Sequence, residues 1–384
     1  AISFHDPEAK IQFERPWPSP MYNCEHNSPF FISNALPLLD KPGEWYHDIR
    51  THKLYYMPRK GERMDVAAPA LETLVKFEGT REKMVDAVTF RNVNFEVTTW
   101  NRPSYKGHVP LQAGMFITEG YKLRPSIDHK LDNQDWLGRP AAAVELRYAS
   151  RAVFDSCSFG HLGGDGLDFV EGCRDGAVLS STFEDIAMNG LVCGSFSPAG
   201  LETHLPYRPQ DLREVCSGLH VRNCEFSDVT NEEWGTCAIA LGYVSRMNIE
   251  HNYIHDVSYS AISMGWGWNR DLVVMHDNRI HANLIERYAA HMYDCAGIYT
   301  LGNQPNTVIS ENVVRDIFHP SYVHDPHHYF YLYTDEGSSN ILLKDNWTPE
   351  EKFLKNACGP NNVWQNNGPQ VADEIVKKAG KIKE

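Results

Sequence analysis

The sequence predicts an all-β protein whose main body is a parallel β-helix. Three observations predict it: a short strand phrase recurs along the chain, a second strand follows each copy, and asparagine recurs at one position of the phrase. The phrase is an apolar residue, two variable residues, then Asn, Cys or Ser, one variable residue and a second apolar residue. Copies begin at Phe154, Val178, Val221, Ile249, Met275 and Ile309, and a truncated copy begins at Leu343.

A second strand, often opened by a glycine or another small residue, is predicted after the phrases. These strands read DGLDF, NGLVC, CAIAL, SAISM and AGIYT, from residues 165, 189, 237, 260 and 296. Short strands separated by Asn, Asp and Gly turns, at a spacing too short for a βαβ unit, are typical of coils that stack on one another. The phrase lacks the leucine spacing of a leucine-rich repeat and the four-strand blade of a propeller.

Asparagines at the fourth position of the phrase predict an internal ladder. Asn252, Asn278, Asn312 and Asn346 occupy that position, and Cys157, Ser181 and Cys224 precede them in the earlier copies. Side-chain amides stacked one coil apart, roughly 4.8 Å along the axis, can satisfy one another's hydrogen bonds. We therefore assign these residues a structural role.

Three regions are predicted along the chain. Residues 1–70 form an N-terminal segment in which EWYHD and KLYYM are the strands of a β-hairpin that packs on the first coils. Residues 71–369 form the β-helix, and the phrase at Val88 is already mid-pattern, which predicts further coils upstream in a longer precursor. Residues 370–384 form a C-terminal helix whose apolar face covers the last coil. That face consists of Val371, Ile375, Val376 and Ala379.

Composition excludes several classes of function. The formal charge of the 384 residues is −14 and there is no run of Lys or Arg, so nucleic acid is not a predicted partner. A polyanion would be repelled at long range and would need a local basic site. No apolar stretch approaches the roughly 20 residues of a membrane span, and the first residues lack the features of a signal peptide, so no membrane insertion is predicted.

The cysteines do not indicate a metal site. The chain has nine of them, with neither C-x-x-C pairs nor the spacing of a zinc module. We interpret them as free, buried thiols, and neither a metal nor another cofactor is predicted.

Two enlarged loops locate the predicted chemistry. The segments LIERYAAHMYDCA and IFHPSYVHDPHHYF lengthen adjacent coils and are rich in His, Tyr and Asp. Glycosidic hydrolysis needs two carboxyl groups, and Asp294 and Asp335, 41 residues apart, are the candidates. Stacking Ile298 over Leu332 puts Asp335 beside Leu301 and Asp294 beside His328.

That register separates the two candidate aspartates. It places the two aspartates about seven residues apart along a strand, on the order of 23 Å if the strand is extended, unless the loop before Asp294 folds back. Glu336 and His328 are therefore the reserve candidates.

Residues that could contact a sugar flank the acids. Trp266 and Trp268, in GWGWN, are predicted to point the same way and stack on sugar faces, and plain packing under a loop is the alternative, more for Trp266 than for Trp268. His291, Tyr293 and Tyr299 come from the enlarged loop and the strand after it. His161 and Asp165 lie in an earlier coil, and for Asp165 a turn role is the alternative.

The motifs PGEWYHD, LYYMPRKGE, FEVTTW, GWGWN, MYDCAGIYTLG, YTDEGSS and NNGPQ together resemble the right-handed parallel β-helix glycoside hydrolases of family 141. The resemblance runs from about residue 30 to the C-terminus. It implies hydrolysis of plant-wall glycans, with α-L-fucosidase or xylanase activity, by two aspartates that map onto Asp294 and Asp335. It also implies export to the periplasm or the cell exterior. Cys295 and Ala296 depart from the glycines often found in that motif.

Two other functions remain open at this stage. A polysaccharide lyase on the same fold would need a cationic base, for which His255, His281 and His291 are available, but the acidic chain disfavours an acidic polymer. A non-catalytic glycan-binding β-helix would present an aromatic strip without a buried carboxyl pair. The sugar, the linkage, the stereochemical outcome and the oligomeric state are left undetermined.

Overall fold

The computed structural model describes residues 33–101, 109–117, 137–196 and 206–382, together with the backbone of an antiparallel pair, Ile2–His5 and Lys10–Phe13. The chain divides into two compact units, Pro20–Pro69 and the remainder. None of the helices among the described residues is long and apolar enough to cross a membrane.

The smaller unit contains the predicted hairpin. Trp45–Asp48 pairs antiparallel with Lys53–Tyr56, and a 3-10 turn covers Leu36–Leu38. The Asp48 carboxylate accepts hydrogen bonds from the backbone amides of Arg50 and Thr51, which closes the tight turn. Its packing on the first coils stays a prediction.

The larger unit is a parallel β-helix of three sheets, which we call sheets I, II and III in the order in which the chain visits them in each coil. Sheet I contains Val75–Glu78, Ala142–Arg147, Asp165–Glu171, Leu191–Cys193, Ile239–Leu241, Ile262–Met264, Cys295–Thr300, Tyr329–Thr334 and Phe353–Lys355. Sheet II contains Thr89–Arg91, Val153–Asp155, Ala177–Leu179, His220–Arg222, Asn248–Glu250, Arg279–His281, Asn303–Ser310, Ser339–Lys344 and Val363–Gln365. Sheet III contains Asn94–Glu96, Ser158–Leu162, Thr182–Ile186, Glu225–Val229, Tyr253–Val257, Leu284–Glu286 and Val313–Val314.

Shorter elements complete this unit. Two parallel pairs, Val85–Asp86 with Ala149–Ser150 and Cys216–Ser217 with Val244–Ser245, lie between sheets I and II. An antiparallel sheet of Val109–Pro110, Phe116–Ile117 and Leu137–Gly138 belongs to a segment inserted after the first coil. The other helices within the described ranges are the 3-10 turns Gln112–Gly114 and Leu212–Glu214 and the α-helix Asp373–Lys378.

The core is built from inward side chains that repeat from coil to coil. Phe95, Phe159, Phe183 and Phe226 stack in sheet III, with successive ring centroids 4.9, 4.6 and 4.4 Å apart. Ile254 pairs with Phe226 in the next coil and continues the row. A parallel stack of identical rings both buries apolar area and fixes the register, because a slip of one residue would turn every ring outward.

The asparagine ladder is present, with one member different from the prediction. Side chains at the start of sheet III follow one another as Asn252, Asn283, Asn312, Asn346 and Asn367, and each Nδ2 donates to the next Oδ1 at 2.8 or 2.9 Å. The prediction for Asn278 is wrong. Asn278 is buried one strand earlier, where its Oδ1 accepts from the amide of Met247, because the phrase in this coil begins at Ile280 and not at Met275.

The corner before each ladder residue is strained. The preceding residue has a left-handed backbone in every copy, with φ between 46° and 58°. These residues are Asn92, Ser156, Ser180, Asn223, His251, Ala282, Glu311, Asp345 and Asn366. A left-handed backbone conformation costs a non-glycine residue about 1 kcal/mol. The hydrogen bonds and the burial of the ladder residues offset that cost.

The C-terminal helix is short, and the tail after it runs back along the coils. Val371 is buried just before the helix, and Ile375, Val376 and Ala379 are half-buried. The amide of Gly380 donates to Ala282 O, and the amide of Ile382 donates to Asn223 Oδ1. The tail therefore ties coils together from the side, whereas coverage of the last coil stays a prediction.

We predict that Asn312→Ala lowers the free energy of unfolding by roughly 2–5 kcal/mol, because it leaves the buried amide of Asn283 and the carbonyl of Ile280 without partners. The midpoint of urea denaturation measures this. Asn231→Ala, which removes an exposed bond to the carbonyl of Asp228, is the matched control and is expected to cost about 1 kcal/mol or less. Equal midpoints for the two variants would contradict a structural role of the ladder.

Candidate active site

Two adjacent strands of sheet I form the floor of the candidate site. Ile298 pairs with Leu332 and points inward, as predicted, so Tyr299 and its partner Tyr333 point outward. Both tyrosines are 2% exposed, and Trp268 and Phe330 pack against them. We call Tyr299 and Tyr333 the tyrosine floor. Their burial shows that neighbouring side chains cover the outer face of sheet I at these two strands.

Asp294 lies at the start of this floor, beside His328 as predicted. Its amide donates to His328 O at 2.8 Å, and its Oδ1 lies 3.0 Å from His328 Nε2. The backbone of Asp294 is left-handed, with φ 56°, which ends the preceding loop and turns the residue out of the strand direction. Its side chain is 52% exposed.

Asp335 lies at the other end of the floor and is 7% exposed. Its amide donates to Thr300 O, which places it beside Leu301 as predicted. The Tyr299 hydroxyl donates to Oδ2, and Asn356 Nδ2 donates to Oδ1 at 2.8 Å. Both oxygens of this carboxylate are therefore held by neutral donors.

Tyr333 lies close to both acids. The charges of the Asp294 and Asp335 carboxylates both raise the pKa of its hydroxyl. The Asp335 carboxylate likewise raises the pKa of Asp294, so the two carboxyl groups lie near enough for their charges to interact. The backbone register sets Asp335 seven residues beyond His328, the neighbour of Asp294, as predicted. The distance between the two carboxyl groups stays a prediction.

Burial and charge set the protonation of these groups. Burial raises the pKa of Asp294, the Asp335 carboxylate raises it further, and His328 and the Tyr333 hydroxyl act in the opposite direction. Burial first and the carboxylates second raise the pKa of Tyr299 and Tyr333 far above that of free tyrosine, so both hydroxyls stay protonated and can donate.

The inserted segment reaches this network through Gln112. Gln112 Nε2 donates to the Tyr259 hydroxyl at 2.9 Å, and Tyr259 donates in turn to the backbone carbonyl of Asp294 at 2.8 Å. The Gln112 side chain also lies near Tyr299, the partner of Asp335, and lowers the pKa of its hydroxyl. One amide therefore lies beside the supports of both acids.

The insertion is itself anchored to sheet I. The amide of Ala113 donates to Gly235 O, and Asn189 Nδ2 donates to Ala113 O. Gly114, with φ 77°, sits so close that a Cβ there would lie 2.7 Å from Asn189 Nδ2. Glycine is thus required where the loop meets the coil.

The predicted sugar-contacting residues separate into two groups. The prediction for Trp266 is wrong: it is 1% exposed and packs in the core, edge-on against the rings of Phe196 and Trp268, with centroids 5.1 and 4.9 Å away. Trp268 is half-buried at the tyrosine floor, where a sugar could contact it. His291 stacks on Trp234 at 4.4 Å and bonds to Tyr322, and Tyr293 lies near His324.

His161 and Asp165 lie elsewhere. The prediction for His161 is wrong, since it is exposed on sheet III and bonded to Asp185. Asp165 is four strands from Cys295–Thr300 in sheet I, about 19 Å at 4.8 Å per strand. It is fully buried and accepts from both nitrogens of Asn189, while Asp168 forms an ion pair with Arg139 of the insertion.

Of the reserve candidates, His328 belongs to the site and Glu336 is peripheral. Glu336 is half-buried, and its backbone carbonyl accepts from Gly302. Sequence reasoning missed Gln112, Tyr259 and Asn356. Tyr259 directly precedes a predicted strand, but the periodic pattern gives no signal for Gln112, which belongs to no coil.

No group of three or more metal-binding side chains is arranged around a common point in the part of the chain that the structure describes. The eight cysteines within that part are free and seven are buried. Burial raises the pKa of Cys295, the cysteine next to Asp294, well above its ordinary value, so it is not a thiolate nucleophile.

Two segments of the chain match known family models. Residues 1–59 match the family model of a GH141 insertion domain, and residues 212–371 match that of a right-handed β-helix region. A solved structure described as a glycoside hydrolase is 55% identical and superposes with a TM-score of 0.90. The resemblance to glycoside hydrolase family 141 is therefore confirmed.

The match to that glycoside hydrolase covers 98% of this chain and 65% of the other, so this chain spans about two thirds of its length. The Streptococcus pneumoniae surface adhesin PfbA is 9% identical with a TM-score of 0.42, over 78% of this chain and 80% of the adhesin, which is too distant to support an argument. No curated protein matches the chain.

The buried Asp165 generates a prediction about pH. Burial, followed by the charge of Asp168, raises the pKa of Asp165 to about 8 in the folded protein. The unfolded chain ionises near pH 4, so the folded state binds one more proton between about pH 4 and 8, and this residue lowers stability by up to about 1.4 kcal/mol per pH unit as pH rises. We expect Asp165→Asn to remove that slope.

Urea midpoints from pH 4 to 8 measure the effect, and Asp271→Asn, at a 61% exposed aspartate, is the control. Parallel profiles for wild type and Asp165→Asn would contradict the prediction.

Proposed function

We propose that this chain is a glycoside hydrolase that uses Asp294 and Asp335 as its catalytic pair. The observation that carries the proposal is the position of the two carboxyl groups at the two ends of the tyrosine floor, where both raise the pKa of the Tyr333 hydroxyl. The similarity to a protein described as a glycoside hydrolase supports it. The proposal requires the two carboxyl groups to lie about 5 to 9.5 Å apart, so that one glycosidic bond lies between them.

The different surroundings of Asp294 and Asp335 indicate a different catalytic role for each. Asp294 is half exposed and its pKa is raised, so it can protonate the leaving oxygen and exchange its proton with solvent. Asp335 is buried and accepts bonds from Tyr299 and Asn356, which fix its orientation toward the anomeric carbon. Asp335 acts there either as the nucleophile or as the base that activates a water molecule. NMR detection of the anomer that is released first distinguishes these two mechanisms.

The proposed substrate is a plant-wall or similar glycan, cleaved by an α-L-fucosidase-like or xylanase-like reaction in the periplasm or outside the cell.

The lyase alternative lacks support in the geometry. His255 lies on sheet III against Asp256, and His281 lies on sheet II against Ser310, so neither faces the tyrosine floor. The third candidate base, His291, is stacked on Trp234 and bonded to Tyr322. Ultraviolet absorbance of an unsaturated product would identify a lyase, and binding without turnover would identify a glycan-binding module.

We expect Asp294→Asn and Asp335→Asn each to reduce kcat on an aryl glycoside or xylan by about a thousandfold or more, because each removes a group that the reaction requires. Released reducing sugar measures turnover. Glu336→Gln, one residue from Asp335, is the matched control and should stay near wild type. Normal turnover in either aspartate variant would remove that residue from the mechanism.

We expect Gln112→Ala to lower kcat about 10- to 100-fold with little change in KM, because it loosens the supports of both acids without removing a reacting group. Steady-state kinetics measures the split. Gln370→Ala, which removes an exposed side-chain amide bonded to the carbonyl of Asn367, controls for loss of an amide elsewhere. A rise in KM alone would show that Gln112 contacts substrate and does not position the acids.

A further inference from the structure

A second concave site lies outside the acid pair, at the corner between sheets I and II. The cavity measures about 570 Å³. Its base follows a ladder of stacked corner residues in four successive coils, Arg174, Ser217, Ser245 and His276. Two loops wall it, and they are joined where Arg208 Nε donates to Leu272 O at 2.8 Å.

Three guanidinium groups line the cavity. They belong to Arg174, Arg208 and Arg246, and none of the described lining residues is Asp or Glu. The neighbouring carboxylates of Asp175 and Asp271 lie outside the lining, 3.7 Å from Arg246 and 4.0 Å from Arg208. The chain as a whole has 50 acidic residues and 36 Lys and Arg. The lining is therefore locally basic on an acidic protein, which is the feature that an anionic partner would require.

The guanidinium groups are held in place and keep donors available. Arg246 Nε donates to Ser217 Oγ at 3.0 Å, which orients the group, and its Nη2 lies 3.7 Å from Asp175, beyond hydrogen-bonding distance. Arg208 Nη2 likewise lies 4.0 Å from Asp271. The two arginine side chains are 55% and 60% exposed, so their outer nitrogens can meet a ligand.

Apolar side chains form the rest of the wall. Leu212 is 67% exposed and Leu272 is 59% exposed, one from each loop. Exposed leucines beside fixed guanidinium groups suit a ligand with an apolar face and a planar or tetrahedral anionic group. A sugar that carries a carboxylate or a sulfate has both.

The cavity lies on the same edge of the β-helix as Asp335. Asp335 follows the C-terminal end of a sheet I strand, and the cavity follows the corresponding ends of earlier strands, between two and five coils away, about 10–24 Å at 4.8 Å per coil. The loop that carries Leu272 begins at Trp268, which packs on the tyrosine floor. One glycan can therefore reach both places.

We propose that this cavity binds an anionic group, a uronate carboxylate or a sulfate ester, on the glycan whose cleavage we propose above. The inference rests on that function only for the identity of the polymer. Arg208 and Arg246 supply the fixed donors, and the leucines contact the sugar ring. Neutral glycans lack the group that the arginines recognise and bind without this contribution.

Equilibrium binding tests the proposal without requiring turnover. The Asp294→Asn protein is titrated calorimetrically with a uronate-bearing xylo-oligosaccharide, a sulfated one, the neutral oligosaccharide of the same length, and sodium sulfate. At least one acidic oligosaccharide should bind about tenfold or more tightly than the neutral one, and raised salt should reduce the difference. Arg208→Gln combined with Arg246→Gln should abolish the preference. Arg91→Gln, at a 67% exposed arginine on sheet II, should preserve it.

Equal affinity for acidic and neutral oligosaccharides would overturn the proposal, as would a preference that survives the double substitution or binding of free sulfate alone. The two proposals fail separately. Cavity-dependent binding without any turnover by the unsubstituted protein would leave this inference standing and remove the hydrolase assignment. Turnover with no acidic preference would do the reverse.

Discussion

In-register stacking of parallel coils is the constraint on which the rest of the structure depends. Each coil repeats the position of its apolar side chains, and the buried asparagines from Asn252 to Asn367 join successive coils at the corner between sheets II and III. Neither the apolar stack nor the asparagine ladder tolerates a slip of one residue, because the slip would expose the phenylalanine rings and leave ladder amides unpaired. Loops between the sheets can lengthen without disturbing this register, so they are where function can be added.

The candidate site follows from that constraint. Pairing of Ile298 with Leu332 makes Tyr299 and Tyr333 neighbours on the outer face, and the ends of these two strands carry Asp335 and Asp294. Acids 41 residues apart are thereby brought to the two ends of one tyrosine floor without any local sequence signal for their proximity. The inserted segment adds Gln112 from a distant part of the chain, so the complete network exists only after the coils and the insertion have docked.

Repetition explains which features the sequence could predict. The sheets, the hairpin of Trp45–Asp48 with Lys53–Tyr56 and the Ile298 register follow from patterns that recur or from strong local turn signals. The sequence alone does not separate Asn278 from Asn283, because MHDNRI and IHANLI both satisfy the phrase and only the neighbouring coils select Asn283. Trp266 and Gln112 depend on contacts across the chain, which have no period that a sequence pattern could reveal.

The two acids differ in a way that bears on their chemistry. Asp335 is enclosed and held by a phenol and an amide, two neutral donors that fix its direction. Asp294 is open to solvent and lies 3.0 Å from His328 Nε2. A group that must lose and regain a proton in every turnover needs contact with water, whereas a group that acts at carbon needs a fixed direction. Under the roles proposed above, each carboxyl therefore has the surroundings that its task requires.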